Sequence, residues 1–244
     1  MKETIYTIPI NEAFDKGGIC PFCAMYDDLE KEAVRYTLGP AMMEPDFRII
    51  TNEKGFCQKH MKDLCSESKA LALSLVLETH LSSVSDIFSI DYAEKGGLFK
   101  KGNSGKENFT KALEKVSDSC AICTKIENTF SHYVRSFFYM LKNEKGFLEK
   151  VLLSDGFCLE HFSHLAKCAN EFLSASEYQK LFAPIIELQK KTLSSYLTYV
   201  KNFSLSFDYR NVGKKMDFPK DILQKTGMFL NGTFVPKDKN LEDV

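Results

Sequence analysis

GFCLEH, residues Gly156–His161, restates GFCQKH, residues Gly55–His60, and this pair of hexapeptides decides how the chain is read. Each carries C-x2-H directly after Gly-Phe. Upstream of each stands a C-x2-C: Cys20-Pro-Phe-Cys23 before the first, Cys120-Ala-Ile-Cys123 before the second. The gap from Cys23 to Cys57 holds 33 residues, and the gap from Cys123 to Cys158 holds 34. Two copies agreeing to within one residue over such a distance indicate an internal repeat. A second pentapeptide match, NEKGF at Asn52–Phe56 and Asn143–Phe147, is out of this register, because the later copy lies ten residues short of a cysteine.

Helical periodicity extends from every motif. Phe22, Tyr26, Leu29, Ala33 and Tyr36 step by four and three, with Asp27, Asp28, Glu30, Lys31 and Arg35 on the opposite face. Ile122, Ile126, Phe130, Tyr133, Phe137 and Met140 repeat the rhythm. Pro40 and Pro45 close the first helical region. Met61, Leu64, Leu71 and Leu75 predict one long helix from Cys57 toward Phe88. Phe162, Leu165, Ala169 and Phe172 predict another from Cys158, and a further helix is expected from Ser176 to about Phe203. The Gly- and Lys-rich stretch 95–109 reads as a solvated linker. In the tail, a helix is expected near Pro219–Lys225 with Asp217 as its cap. MFLNGTFV at 228–235 places Asn-Gly between apolar runs, a hairpin signal. Thr4–Ile10 admits a short strand. The expected architecture is mostly α. It consists of two tandem helical repeats (1–94 and 118–205), a linker over 95–117, and an extension over 206–244 with a helix and a short β-hairpin.

Three thiolates and one imidazole form a tetrahedral donor set suited to Zn²⁺. The expected ligands are Cys20, Cys23, Cys57, His60, Cys120, Cys123, Cys158 and His161, giving two Zn²⁺ per chain. Assigned repeat by repeat, each half would own one Cys3His site. Spacing alone leaves open whether each ion is held within one repeat or across the two. Gly55 and Gly156 permit a tight entry to the helix that carries each C-x2-H. An iron–sulfur cluster is the rival cofactor. Cys65 and Cys168 fall at the wrong angle or height on a helix to join these sets and read as core. His80, His132 and His164 have no counterpart in the other copy and read as structural. CPFC also resembles a redox dithiol, but such a motif needs a βαβ setting that the helical periodicity does not provide.

The segments Glu3–Phe14, Cys20–Cys23, Met42–His60, Gly156–His161 and Ser206–Asn211 together resemble a bacterial family, found in Firmicutes and relatives, catalogued as a domain of unknown function. The resemblance spans almost the whole chain. It implies a shared fold and paired metal-type motifs, and it assigns no reaction. In MEPDFR, Glu44, Asp46 and Arg48 read as a hydrogen-bonded turn that orients the metal site. Asp208, Tyr209, Arg210 and Asn211 read as an anchor for the tail.

Composition sets the remaining bounds. The 244 residues are 44% hydrophobic and 27% charged, with 32 Lys+Arg against 33 Asp+Glu. This balance argues against a general nucleic-acid binder. No uninterrupted apolar run reaches the roughly 18 residues of a membrane span, and no signal-peptide core is visible at the N-terminus. The expected setting is cytoplasmic, where eight cysteines stay reduced. No P-loop, dinucleotide-type glycine pattern or Ser/His/Asp set appears. A structural-zinc scaffold or interaction module, for which a protein partner is a candidate, is therefore expected first, a thiol- or metal-responsive regulator second, and a metal-dependent enzyme last.

Overall fold

The computed structural model describes residues 4–89, 104–211, 213–214 and 216–232. Among these residues there are helices and no strands, so the fold is mostly α. In chain order the helices are α1 (Thr4–Lys16), α2 (Pro21–Thr37), α3 (Pro45–Lys54), α4 (Gln58–Ser66), α5 (Ala70–Phe88), α6 (Ser104–Ser117) and α7 (Ala121–Asn143). They continue with α8 (Phe147–Leu152), α9 (Leu159–Phe172), the single turn α10 (Ala175–Glu177), α11 (Ala183–Ser206) and α12 (Ile222–Asn231). A 3-10 turn (Pro40–Met43) precedes α3, and a π turn (Tyr178–Phe182) leads into α11.

The chain divides into two compact units, and the division is not the tandem one. One unit comprises Met1–Asp27 with Phe130–Val244, the other Asp28–Thr129. Each therefore combines sequence from both expected repeats.

In the larger unit the core is aromatic. Phe22, Phe137 and Phe157 are fully buried. Phe22 packs edge-on against Phe137 (5.4 Å) and Phe130 (5.7 Å), and Phe14 meets Phe147 at 5.6 Å. Full burial of one such ring contributes about 1.5–3 kcal/mol. Two of these rings are neighbours of candidate ligands in the sequence: Phe22 lies between Cys20 and Cys23, and Phe157 precedes Cys158. The core thus fixes the backbone that presents the thiols. In the smaller unit α3 packs on α5 around Thr51, Ala72 and Val76, all buried. Polar ties reinforce that contact. Arg48 donates to the Leu75 carbonyl (2.8 Å) and to Thr79. Thr79 donates to Asn52 Oδ1 (2.6 Å), and His80 Nδ1 donates to the Asn52 carbonyl (3.0 Å).

Several local expectations are corrected. Thr4–Ile10 is the start of a helix, because Ile10, Ala13 and Phe14 bury one helical face. The helix expected from Cys57 to Phe88 breaks at residues 67–69, where Glu67 and Lys69 leave helical geometry. Within the expected linker, 104–117 form α6, supported by the Glu107–Lys111 pair at 2.5 Å. Residues 95–103 lie outside the described residues. The hairpin is replaced over 228–231 by the end of α12, and Gly232 caps that helix at φ +78°. Positions 233–235 lie outside the described residues. Asn-Gly serves both structures for one reason: a hairpin turn and a helix C-terminus both call for positive φ. The expected tail helix starts at Ile222, and Asp221, not Asp217, stands at its N-terminus.

Candidate metal centres

The two GFCxxH segments fold alike. Gly55 and Gly156 both take positive φ (+58° and +90°). Two residues on, Cys57 (φ −68°, ψ 164°) and Cys158 (φ −65°, ψ 158°) occupy the N-cap positions of α4 and α9. The histidine is then the third residue of each helix, so thiol and imidazole project together from one turn. Each C-x2-C opens its helix in the same manner: Cys20 precedes α2, and Cys120 precedes α7. The glycines leave no room for a side chain. A methyl group at Gly55 would stand 2.4 Å from His80 Nε2, and one at Gly156 would stand 2.9 Å from Gln189 Oε1.

All eight predicted residues converge, in two quartets that exchange partners between the sequence repeats. Cys20 and Cys23 meet Cys158 and His161, while Cys57 and His60 meet Cys120 and Cys123. The repeat-by-repeat assignment, which put Cys20 and Cys23 with Cys57 and His60, is not the grouping observed. Each quartet lies inside one compact unit.

In the first quartet His161 Nδ1 lies 3.6, 3.3 and 3.1 Å from the sulfurs of Cys20, Cys23 and Cys158, and the Cys23 and Cys158 sulfurs are 3.5 Å apart. In the second, His60 Nδ1 lies 3.3, 3.4 and 3.3 Å from Cys57, Cys120 and Cys123, and Cys57 and Cys123 are 3.9 Å apart. A tetrahedral ion with bonds of about 2.3 Å to sulfur and about 2.05 Å to nitrogen sets edges of about 3.8 Å between sulfurs and about 3.6 Å between sulfur and nitrogen. The observed separations lie within about half an ångström of those edges, the Cys158–His161 pair at 3.1 Å departing most. All eight cysteines are free thiols.

Charge supports the same fit. Three thiolates beside a neutral imidazole concentrate three negative charges where the donor atoms all lie within 4.8 Å of one another. Without a cation these groups compete for protons. Burial and the neighbouring thiols push Cys20 well up. Cys158 is driven far down, chiefly by hydrogen bonds from the Cys20 and Cys23 thiols and then by His161. Burial would lower His161, but the Cys158 and Cys23 sulfurs outweigh it and raise it to about 9. In the second quartet burial opposes ionisation of Cys120, yet the His60 contact and the backbone N–H groups bring it down to about 6. Burial and the Cys120 charge push Cys123 up. A divalent ion would replace these protons and satisfy every donor at once.

The surroundings of the two imidazoles differ. His60 is 2% exposed, and its Nε2 donates to Glu30 Oε1 at 3.0 Å. The carboxylate only accepts, so the proton sits on Nε2 and the Nδ1 lone pair is left facing the three sulfurs. Lys59 pairs with the same Glu30 oxygen. Around His161 stand aromatic rings instead: Phe130 at 5.3 Å, Phe22 at 6.0 Å and Tyr26 at 6.3 Å. Gln189 holds the first quartet's hexapeptide from behind, accepting from the Phe157 N–H (3.1 Å) and donating to its carbonyl (2.7 Å). In the second quartet's unit that support comes from the backbone, with the Ala121 N–H donating to the Gly55 carbonyl at 2.9 Å.

Other predicted residues fall elsewhere. Arg48 ties α3 to α5 and Glu44 accepts from Tyr36, so MEPDFR braces helices of the smaller unit. Asp208 and Arg210 pair with each other at 2.6 Å. The tail is tied further on, where Asn202 donates to the Asp217 carbonyl at 3.0 Å. Cys65 is exposed and Cys168 is half-buried, 3.8 Å from His164, so neither is the core residue expected. His132 stacks on Tyr6 at 5.0 Å. Sequence reasoning missed Glu30, which it placed on the solvent face of α2, and also Gln189.

The chain belongs to a family of unknown function, DUF6062. The family model matches residues 1–237. No curated protein and no solved structure matches the chain. Among the described residues, α5 is long and apolar enough to cross a membrane by length and composition alone.

Proposed function

We infer that this is a zinc-binding helical protein with two structural Cys3His centres, serving as a scaffold or interaction module. The observation that carries this reading is the convergence of each quartet onto tetrahedral edge lengths. Four protein donors fill the coordination sphere and leave no position for water or substrate, the hallmark of a structural site. Structural zinc contributes roughly 10–16 kcal/mol of apparent binding energy in small zinc-finger peptides, enough to decide whether a modest helical unit folds. Eight free thiols suit a reducing, cytoplasmic setting. The apolar side chains that α5 exposes, Leu71, Leu81 and Phe88, favour a protein partner over a nucleic acid.

Elemental analysis of protein purified without chelator tests this reading. Two zinc per chain are expected, falling to one in Cys158→Ser and to one in Cys57→Ser. Iron in the same measurement, or a coloured protein, would replace zinc by a cluster. Absence of any metal would end the proposal.

A further inference from the structure

The quartets share a donor set and differ in cover. All three sulfurs of the first are buried, with Cys158 at 0%, Cys23 at 4% and Cys20 at 6% exposure. Aromatic rings flank its imidazole. Gly232, at the C-terminal end of α12, lies over the sulfurs: a methyl group on its Cα would stand 3.4 Å from Cys23 Sγ and 3.8 Å from Cys158 Sγ. Helix α12 is pinned there by buried Ile222 and by Phe229, which stacks on Tyr196 at 4.8 Å. Of the first quartet's donors His161 is the half-buried one, and the end of α12 covers two of the three sulfurs.

The second quartet has two shielded donors and two open ones. Cys120 and His60 are 5% and 2% exposed. Cys57 and Cys123 are only half-buried, and their sulfurs are 3.9 Å apart. The two less buried cysteines are thus each other's neighbours.

We propose that the second quartet is an oxidation-sensitive zinc centre, in which hydrogen peroxide joins Cys57 to Cys123 in a disulfide and expels the ion while the first quartet keeps its own. The proposal rests on the zinc reading above and deepens it into a response to peroxide. One thiolate of the pair attacks a peroxide oxygen. The O–O bond breaks, giving a sulfenic acid and, after protonation, one water. The second thiolate attacks the sulfenic sulfur, the S–O bond breaks, and the departing hydroxide takes a proton as a second water. The two sulfurs lose two electrons and the peroxide oxygens gain two. The sulfurs close from 3.9 Å to a bond of about 2.05 Å, so each moves by about an ångström. Zinc, left with Cys120 and His60 alone, dissociates.

The test uses the full chain loaded with two zinc. Peroxide is added in steps, released zinc is read with a chromogenic chelator, and disulfides are mapped by mass spectrometry under non-reducing conditions. One zinc of two is expected to leave at least about tenfold faster than the other, together with a Cys57–Cys123 disulfide. A thiol reductant and added zinc should restore the starting state. A single-zinc protein made by His161→Ala should lose its remaining ion to peroxide, a measurement that does not depend on the Cys57 or Cys123 variants folding. Equal loss from both sites, or a disulfide between other cysteines, would overturn the proposal. Zinc retained at both sites under peroxide would sink this inference and leave the structural reading intact. A purified protein without zinc would sink both.

Discussion

Removing Glu30 should weaken one zinc centre and leave the other untouched. Glu30 holds the Nε2 proton of His60 at 3.0 Å, which fixes the tautomer and aims Nδ1 at the three sulfurs. Loss of a carboxylate behind a metal-binding histidine typically costs 10–100-fold in affinity, or about 1.4–2.8 kcal/mol. Glu30→Ala should therefore raise the zinc Kd of the Cys57/His60/Cys120/Cys123 centre by about that factor. Glu30→Gln keeps an oxygen acceptor and should fall between the two. Among the described residues the Cys20/Cys23/Cys158/His161 centre has no such carboxylate contact to its imidazole, and it serves as the internal control. Competition against a zinc-binding dye, fitted for two sites, gives both constants in one titration. A Cys57/His60/Cys120/Cys123 centre whose Kd is unchanged by Glu30→Ala, or both centres weakened equally, would refute the reasoning.

Gly55→Ala forces a side chain into φ +58°, ψ −146°, and against His80, which should cost at least about 1–3 kcal/mol. Each kcal/mol lowers Tm by roughly 2–4 °C at this size, and His80→Ala in the same chain should recover the steric share. Gly146→Ala, at φ +87° with open space around it, should cost only about 1 kcal/mol in the same melt. Gln189→Ala strips two hydrogen bonds from the buried Phe157 backbone and should cost about 1–3 kcal/mol per orphaned group, with faster zinc loss confined to the first quartet. With Cys120 held down to about 6, its thiolate needs no deprotonation at pH 7 and a proton must be displaced below pH 6. The plot of log Kd against pH for the second quartet should therefore steepen by one proton below about pH 6.

What the sequence displayed was local. Gly-Phe-Cys-x-x-His dictates its own geometry: positive φ at the glycine, an N-capping cysteine, and a histidine one turn on. Both copies obey it. Partner choice was hidden, because gaps of 33 and 34 residues serve within-repeat and exchanged pairing equally well. Glu30 was hidden for a related reason. Helical periodicity sorts residues into an apolar and a polar face, and a carboxylate beside a buried imidazole sits on the polar side by that criterion. Its side chain is in fact 14% exposed because His60 arrives from another helix. Thr4–Ile10 and Met228–Asn231 show the opposite failure, where β-branched residues and an Asn-Gly pair suggest extended structure and apolar burial selects the helix.

The exchange of partners has a consequence for folding that separates it from any tandem arrangement. Within the first quartet, Cys23 and Cys158 are 135 positions apart, and within the second, Cys57 and Cys123 are 66 apart. Closing the longer loop costs only about 0.6 kcal/mol more than the shorter, since the penalty grows with the logarithm of length. Tandem pairing would close loops of only 34 and 35 positions, so loop entropy favours it by about 2 kcal/mol in all and something else must overcome that. The preference comes from packing, with Phe22 and Phe157 carrying Cys23 and Cys158 into one aromatic core at a ring separation of 5.8 Å. A fragment ending at residue 94 holds both N-terminal motifs but neither complete quartet. It should bind zinc far more weakly than the full chain and should gain tight sites only when mixed with the remainder, 95–244. Tight binding of one zinc by the 1–94 fragment alone, with a folded circular-dichroism spectrum, would restore the tandem reading.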